Sequence, residues 1–316
     1  MPAGKQKLAE IMLYALTHGE KNAMTQYGLN DETWNRYKRE YRKHFGDGIE
    51  SLVKLKEQFT EDELKMLSTG ARPNPHNTVA HSFKGAALRI GVMSDNHLGS
   101  IYSDPKLTLE AIAEFNRQKV DIIVHPGDVT EGMMGRPGDV YELTHIGYKA
   151  QRDLAIQTFK TAEAPMYMIS GNHDRSLNSK HGVGVDIVED ICEALPHAKC
   201  IGDDEGDIEI ANIRIRLFHG GDGASSYAIS YRGQKLIEAI SGGAKPALFI
   251  AGHTHKSIYM PAYRNVHYIE AGTLQWQSSW MRGKKLAAHV GFWVLDLVVG
   301  DREIKSMGAR WYPFYK

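Results

Sequence analysis

The sequence predicts an α/β or α+β sheet domain preceded by a small all-α segment. Three observations carry this. From about residue 88 onward, short apolar runs alternate with helical stretches and then follow one another alone. Before residue 68 the apolar residues keep only helical spacing. Between the two lies STGARPNPHNTVAH, a stretch of prolines, glycine and small polar residues that reads as a linker. The expected division is therefore a helical domain over 1–67, a linker over 68–84 and a sheet domain over 85–316.

In the first domain, KLAEIMLYAL and EKNAMTQYG predict two helices, and EDELKMLS a last one near 61–68. Between them DETWNRYKREYRKHF predicts a third, capped by Asn30, with Asp31 and Glu32 in its first turn. With Gly28 in the turn, the middle pair reads as a helix-turn-helix. Trp34, Tyr37 and Tyr41 recur at core spacing. The remaining face carries Asn35, Arg36, Arg39, Arg42 and Lys43, a surface able to contact DNA phosphates or, alternatively, to remain solvated on a bundle that docks or dimerises into a homo-oligomer.

In the second domain the expected strands are LRIGVMS (88–94), DIIVHP (121–126), APMYMIS (164–170), IRIRLFH (213–219), PALFIAG (246–252), HYIEAG (267–272) and GFWVLDLVV (291–299). LTLEAIAEFNRQ, YKAQRDLAIQTFKT and VDIVEDICEAL are the helices between the early ones.

Composition narrows the partners. Lys plus Arg and Asp plus Glu number 38 each, so the net charge is zero and a nucleic acid must be met by a local patch. No apolar run is long enough for a membrane span, and the first residues do not form a signal peptide. Two cysteines, Cys192 and Cys200, are too few for a disulfide framework and fit a reducing cytoplasm.

Five of the strands end in chemistry. SDNHLG offers Asp95 and His97, HPGDVTEG offers Asp128, GNHD offers Asn172 and His173, FHGGDG offers His219, and AGHTHKS offers His253 and His255. These are oxygen and nitrogen donors without thiolate, suited to ions such as Mn, Fe or Zn. So many donors suit two ions sharing a carboxylate, the clamp used for displacement at phosphorus. Of the 15 histidines, His125 and those of the N-terminal part are expected to take no part.

These blocks, at 95–97, 127–128, 171–174, 219–220 and 252–255, resemble those of the calcineurin-like metallophosphoesterases. The resemblance spans about 88–298 and implies a two-sheet β-sandwich flanked by helices, with a dimetal centre at strand ends. It implies that Asp95, His97 and His255 hold one ion, Asn172, His219 and His253 the other, and that Asp128 bridges them. His173 would face the substrate as acid or charge stabiliser, with Asp174 orienting it or serving only as a turn residue. The implied cofactors are two divalent ions, manganese first, with Fe, Zn, Ni or Mg as alternatives. Together they would activate a bridging water for in-line attack.

The segment AGTLQWQSSWMRGKKLAAHVGFW more loosely resembles the exonuclease branch of that family. There Arg282, Lys284 and Lys285 could track a phosphate backbone, and Trp276 or Trp280 could stack on a base or simply pack the loop. The 131–150 loop reads as a flap over the site. The expected function is a phosphodiester hydrolase, a cytoplasmic nuclease acting on DNA. The alternatives are an enzyme for a small phosphoester such as a cyclic nucleotide, and a phosphoprotein phosphatase.

Overall fold

The computed structural model describes residues 8, 11, 12, 14, 15, 18–45, 78–135, 138–179, 186–220, 228–241 and 244–315. The chain divides into two compact units, Met1–Asn74 and Pro75–Lys316.

In the first unit, the helix Glu20–Tyr27 stops at Gly28, whose left-handed φ of 62° lets the Leu29 N–H turn back to the Met24 carbonyl at 2.8 Å. The next helix, Asp31–Phe45, is capped by the Asn30 side chain, which accepts the Thr33 N–H at 2.8 Å. Trp34 and Tyr41 are buried with Leu8, Ile11, Met12, Ala15 and Ala23, and Tyr37 packs beside them, so the aromatic spacing is core spacing. Arg36 and Arg39 lie on the exposed face. The side chains of Arg42 and Lys43, and the helix expected near 61–68, fall outside the described residues.

The second unit is built on two six-stranded mixed sheets. One runs β12 (Ile304–Pro313), β11 (Gly291–Val299), β2 (Ala87–Val92), β3 (Ile122–His125), β4 (Met166–Ser170), β5 (Ala198–Asp203). The other runs β1 (Thr78–His81), β6 (Glu205–Ile210), β7 (Ile213–Phe218), β8 (Leu248–Ala251), β10 (Val266–Ala271), β9 (Ser257–Tyr263). Their facing sides meet in one apolar layer: Leu88, Ile90, Val92 and Val124 from the first sheet against Ile208, Ile215, Leu217 and Ile250 from the second. The helices Pro105–Gln118, Tyr148–Phe159 and Ile187–Glu193 cover the outer face of the first sheet through Phe115, Phe159 and Ile191. The helix Tyr231–Ala239 covers the second through Ile237 against Tyr268 and Phe249.

All seven expected strands are present. Among the described residues five further strands were not expected, and four of them, β1, β5, β9 and β12, are the sheet edges. Edge strands carry charge and keep one side in water, which erases the apolar signal. β1 also corrects the linker: residues 78–81 pair in parallel register with Asp207–Ile210 of β6.

This topology gathers the donors. β2, β3 and β4 run parallel as neighbours in one sheet, and β7, β8 and β10 do so in the other. Their carboxyl ends, which are where ligands bind in such sheets, meet at one edge of the sandwich.

Candidate metal centre

Each donor follows a parallel strand through a sharp turn, Asn172 as the first residue of the helix Asn172–Ser179. Five of them have left-handed backbone: Asp95 at φ 51°, His97 at 47°, Asp128 at 53°, His253 at 79° and His255 at 57°. Such angles are costly for residues with a Cβ and gather where function demands them. The loops also touch closely. A Cβ on Gly171 would lie 2.2 Å from Asp128 Oδ1, and one on Gly127, at φ 95°, would lie 2.4 Å from His219 Nδ1. Only glycine permits either contact.

The donor atoms form two adjoining groups. In one, His97 Nε2 faces His255 Nε2 at 3.0 Å, and Asp95 Oδ1 stands 3.4 Å from the latter and 4.0 Å from the former. In the other, Asn172 Oδ1 meets His253 Nδ1 at 2.9 Å and His219 Nε2 at 3.1 Å. Asp128 stands between them: its Oδ2 lies 3.1 Å from His219 Nε2 and 3.7 Å from His97 Nε2. All seven sequence-derived donors are thus brought together, with Asp95, His97, Asp128, His219 and His255 buried. In each group imidazole nitrogens and a carboxylate oxygen lie within 4.8 Å of one another, close enough for a single cation to reach them all. The donor set therefore fits a dimetal site, with one carboxylate placed to serve both halves.

Charge is finely divided across the groups. Burial opposes protonation of His219, yet Asp128 beside it raises the imidazole to about 9. Burial, and then His219, hold His253 down to about 4. His125, expected to take no part, lies buried with Nε2 2.7 Å from Asn96 Oδ1, and burial pushes it down to about 4.

His173 is the second residue of the helix Asn172–Ser179 and borders the groups without joining the seven donors. Its N–H donates to Asp128 Oδ1 at 2.8 Å and its Nδ1 meets the Glu131 carbonyl at 2.8 Å. The expectation that Asp174 orients this ring is corrected. The Asp174 carboxylate accepts the N–H groups of Val129 at 3.1 Å, Thr130 at 2.8 Å and Gly171 at 2.9 Å, and the Thr130 hydroxyl at 2.8 Å. It braces the Asp128 loop instead.

Glu131 is the residue that sequence reasoning missed. Its Oε2 lies 3.0 Å from His97 Nδ1 and its Oε1 3.6 Å from His173 Nδ1. The available signal was a carboxylate three positions after Asp128, close enough to share its turn.

The donors open into a cleft of about 440 Å³, walled on one side by Met134, Asp139 and Glu142 of the 131–150 loop and on the other by Ser278, Trp280, Met281, Lys284 and Leu286. Tyr102 joins the walls, donating to Glu142 at 3.0 Å and meeting the Ser279 hydroxyl at 2.6 Å. Trp280 is half exposed at this wall, whereas Trp276 packs on the helix-side core. The exposed Arg282 guanidinium donates to the Gln277 carbonyl at 2.8 Å and Ser279 Oγ at 2.9 Å and lies over the Tyr102 ring. Among the described residues no helix is long and apolar enough to cross a membrane.

The sequence profile of the calcineurin-like phosphoesterase superfamily domain matches residues 88–288, more than half of the chain. No curated protein matches the chain. Among solved structures, it is similar to a novel archaeal phosphodiesterase at 18% identity, covering 72% of this chain and 100% of that one, with a TM-score of 0.42. It is likewise similar to YfcE, a phosphoesterase from E. coli (15% identity, 70% and 98% covered, TM-score 0.39), and to Vps29 complexed with zinc from Entamoeba histolytica (14% identity, 72% and 100% covered, TM-score 0.38).

Proposed function

Since the chain belongs to the calcineurin-like phosphoesterase superfamily and is a metal-dependent phosphoester hydrolase, we propose that it is a phosphodiesterase whose substrate is DNA. The supporting observation is the cleft itself: the donor groups and His173 share it with Trp280 and Lys284, an aromatic face and a cation at its rim. The exposed Arg36 and Arg39 of the N-terminal helix add a second surface for phosphates.

In this reading Asp95, His97 and His255 hold one divalent ion and Asn172, His219 and His253 the other, with Asp128 shared and manganese the preferred metal. When bound, the two ions neutralise phosphoryl oxygens and supply a nucleophilic water near neutral pH. The protein's own part is positional. The Glu131 carbonyl can only accept, so His173 Nδ1 carries the proton of that contact. Proton exchange with the ester oxygen then falls to Nε2. The Glu131 carboxylate stabilises the imidazolium that donates this proton to the leaving oxygen.

One observation favours a second reading, a small phosphoester such as a cyclic nucleotide. Asp139 and Glu142 line the cleft and repel a long polyanion, and the volume of about 440 Å³ is that of a small-molecule site. Cleavage of end-labelled single- and double-stranded DNA with Mn, beside Asp128→Ala, separates the two. Cleavage by the wild type alone supports the nuclease. Hydrolysis of aryl phosphates without DNA cleavage moves the assignment to the small ester.

A further inference from the structure

Beside the donors lies a buried ion pair. Arg232, on the helix Tyr231–Ala239, is 6% exposed and Glu270, in β10, is 2% exposed. The guanidinium Nη2 donates to the His219 carbonyl at 2.6 Å, and Nη1 donates to the Gly252 carbonyl at 3.0 Å and to Glu270 at 3.3 Å. Glu270 also accepts the hydroxyl of Tyr268 at 2.6 Å and that of Thr254. One cation thus ties the loop that carries His219 to the loop that carries His253, and one carboxylate fixes the cation. Gly252 and Thr254 flank His253 on either side, so the left-handed backbone of that residue, at φ 79°, is gripped before and after. The seat is closely built. A Cβ on Gly233, next to Arg232, would lie 2.4 Å from the Tyr268 ring, so the helix can approach only with glycine there.

We propose that Arg232 and Glu270 are a positioning pair for the half of the centre formed by His219, His253 and Asn172, setting the metal affinity of that half without touching metal or substrate. The inference rests on reading those three residues as ligands of one ion. A purely structural pair makes a different prediction. Buried ion pairs are often replaceable by neutral residues at little cost in stability, so a structural role leaves metal binding unchanged once both charges are gone.

The test uses the full chain, with Mn²⁺ binding followed by calorimetry and metal content, and folding checked by circular dichroism. The wild type binds two ions. In Arg232→Met/Glu270→Gln, which leaves no uncompensated charge, the affinity of one site falls about 10–100-fold and the other holds. Arg232→Lys keeps the charge but not the two-carbonyl grip. It loses affinity at the same site, which keeps the test open if the double variant does not fold. A folded variant with both affinities at wild-type values, or with both reduced equally, overturns the proposal. Wild-type protein that binds only one ion overturns the two-ion reading beneath it, a result recognisable before any variant is made.

Discussion

Glu131 Oε2 lies 3.0 Å from His97 Nδ1, on the opposite side of the ring from the nitrogen that faces His255. A carboxylate this close behind a ligating imidazole raises its basicity. Burial pushes the Glu131 carboxyl up, but His173 and then His97 outweigh it and hold the group ionised. Glu131→Gln retains the shape and removes the charge. Its expected effect is a loss of about 10–100-fold in metal affinity or turnover, read from Mn titrations of aryl diester hydrolysis. Wild-type titration curves would reduce Glu131 to a loop anchor, held by Gln275 at 3.2 Å.

His173 makes a sharper prediction because it borders the donors without being counted among them. His173→Ala is expected to retain both metals and lose about 10²–10⁴ in rate, the usual share of a positioned general acid. The loss should be smaller for esters with good leaving groups such as nitrophenol, which need no proton. Loss of metal in this variant would make His173 a ligand.

Asp128 presents one oxygen to His219 at 3.1 Å and to His97 at 3.7 Å, so its side chain is within reach of both donor groups. Asp128→Ala should therefore weaken both ions together and take turnover to background. Asp95→Ala should weaken chiefly the His97–His255 group. Full activity of Asp128→Ala at saturating Mn sinks the shared role.

The donors were legible in the sequence because chemistry and turn fall in the same few residues: each polar triplet follows an apolar run and is flanked by glycine. Of the two readings of Asp174, the orienting one failed for the same reason. Adjacency to His173 suggested a partnership, whereas the first turn of a helix sends neighbouring side chains in different directions, and Asp174 meets Thr130. Glu131 was passed over because its partners, His97 and His173, are joined to it only by the meeting of three strand ends. The edge strands were hidden by their own exposure. β6 was hidden by Asp207 and Glu209, whose partners Arg216 and Arg214 lie across the pairing with β7. Local sequence reports a polar residue there and cannot report its cross-strand pair.

At the end of β5, Asp203 has its carboxyl raised to about 6, first by burial and then by its hydrogen bond with Asp186. Asp186 is itself engaged, accepting the Ser170 hydroxyl at 2.6 Å and capping the helix Ile187–Glu193. With the folded pKa above the unfolded value of 3.8, the folded state holds a proton that the unfolded state has lost. Stability is full below about pH 4 and falls as pH rises through about 6. Asp203→Asn should match the wild type at pH 4 and exceed it at pH 8. Solvent reaches Asp203, so the gain stays below about 1 kcal/mol, roughly 2–4 °C in Tm. Thermal melts at the two pH values measure it, and a gain present at both would assign the effect to something other than this proton.

The N-terminal unit supplies the last test. Removal of residues 1–74 leaves β1 in place, whereas a cut at residue 80 would strip it from its pairing with β6 and expose a new edge. The donors, His173, Glu131 and the Arg232–Glu270 pair all belong to the unit that remains. Hydrolysis of small aryl diesters should therefore persist. If the exposed Arg36 and Arg39 contact phosphates, DNA cleavage should weaken and its dependence on salt should become shallower, because fewer counterions are released on binding. Equal loss of both activities would make the helices part of the catalytic fold. Unchanged DNA cleavage would return their basic face to solvent and leave recognition to the cleft beside Trp280 and Lys284.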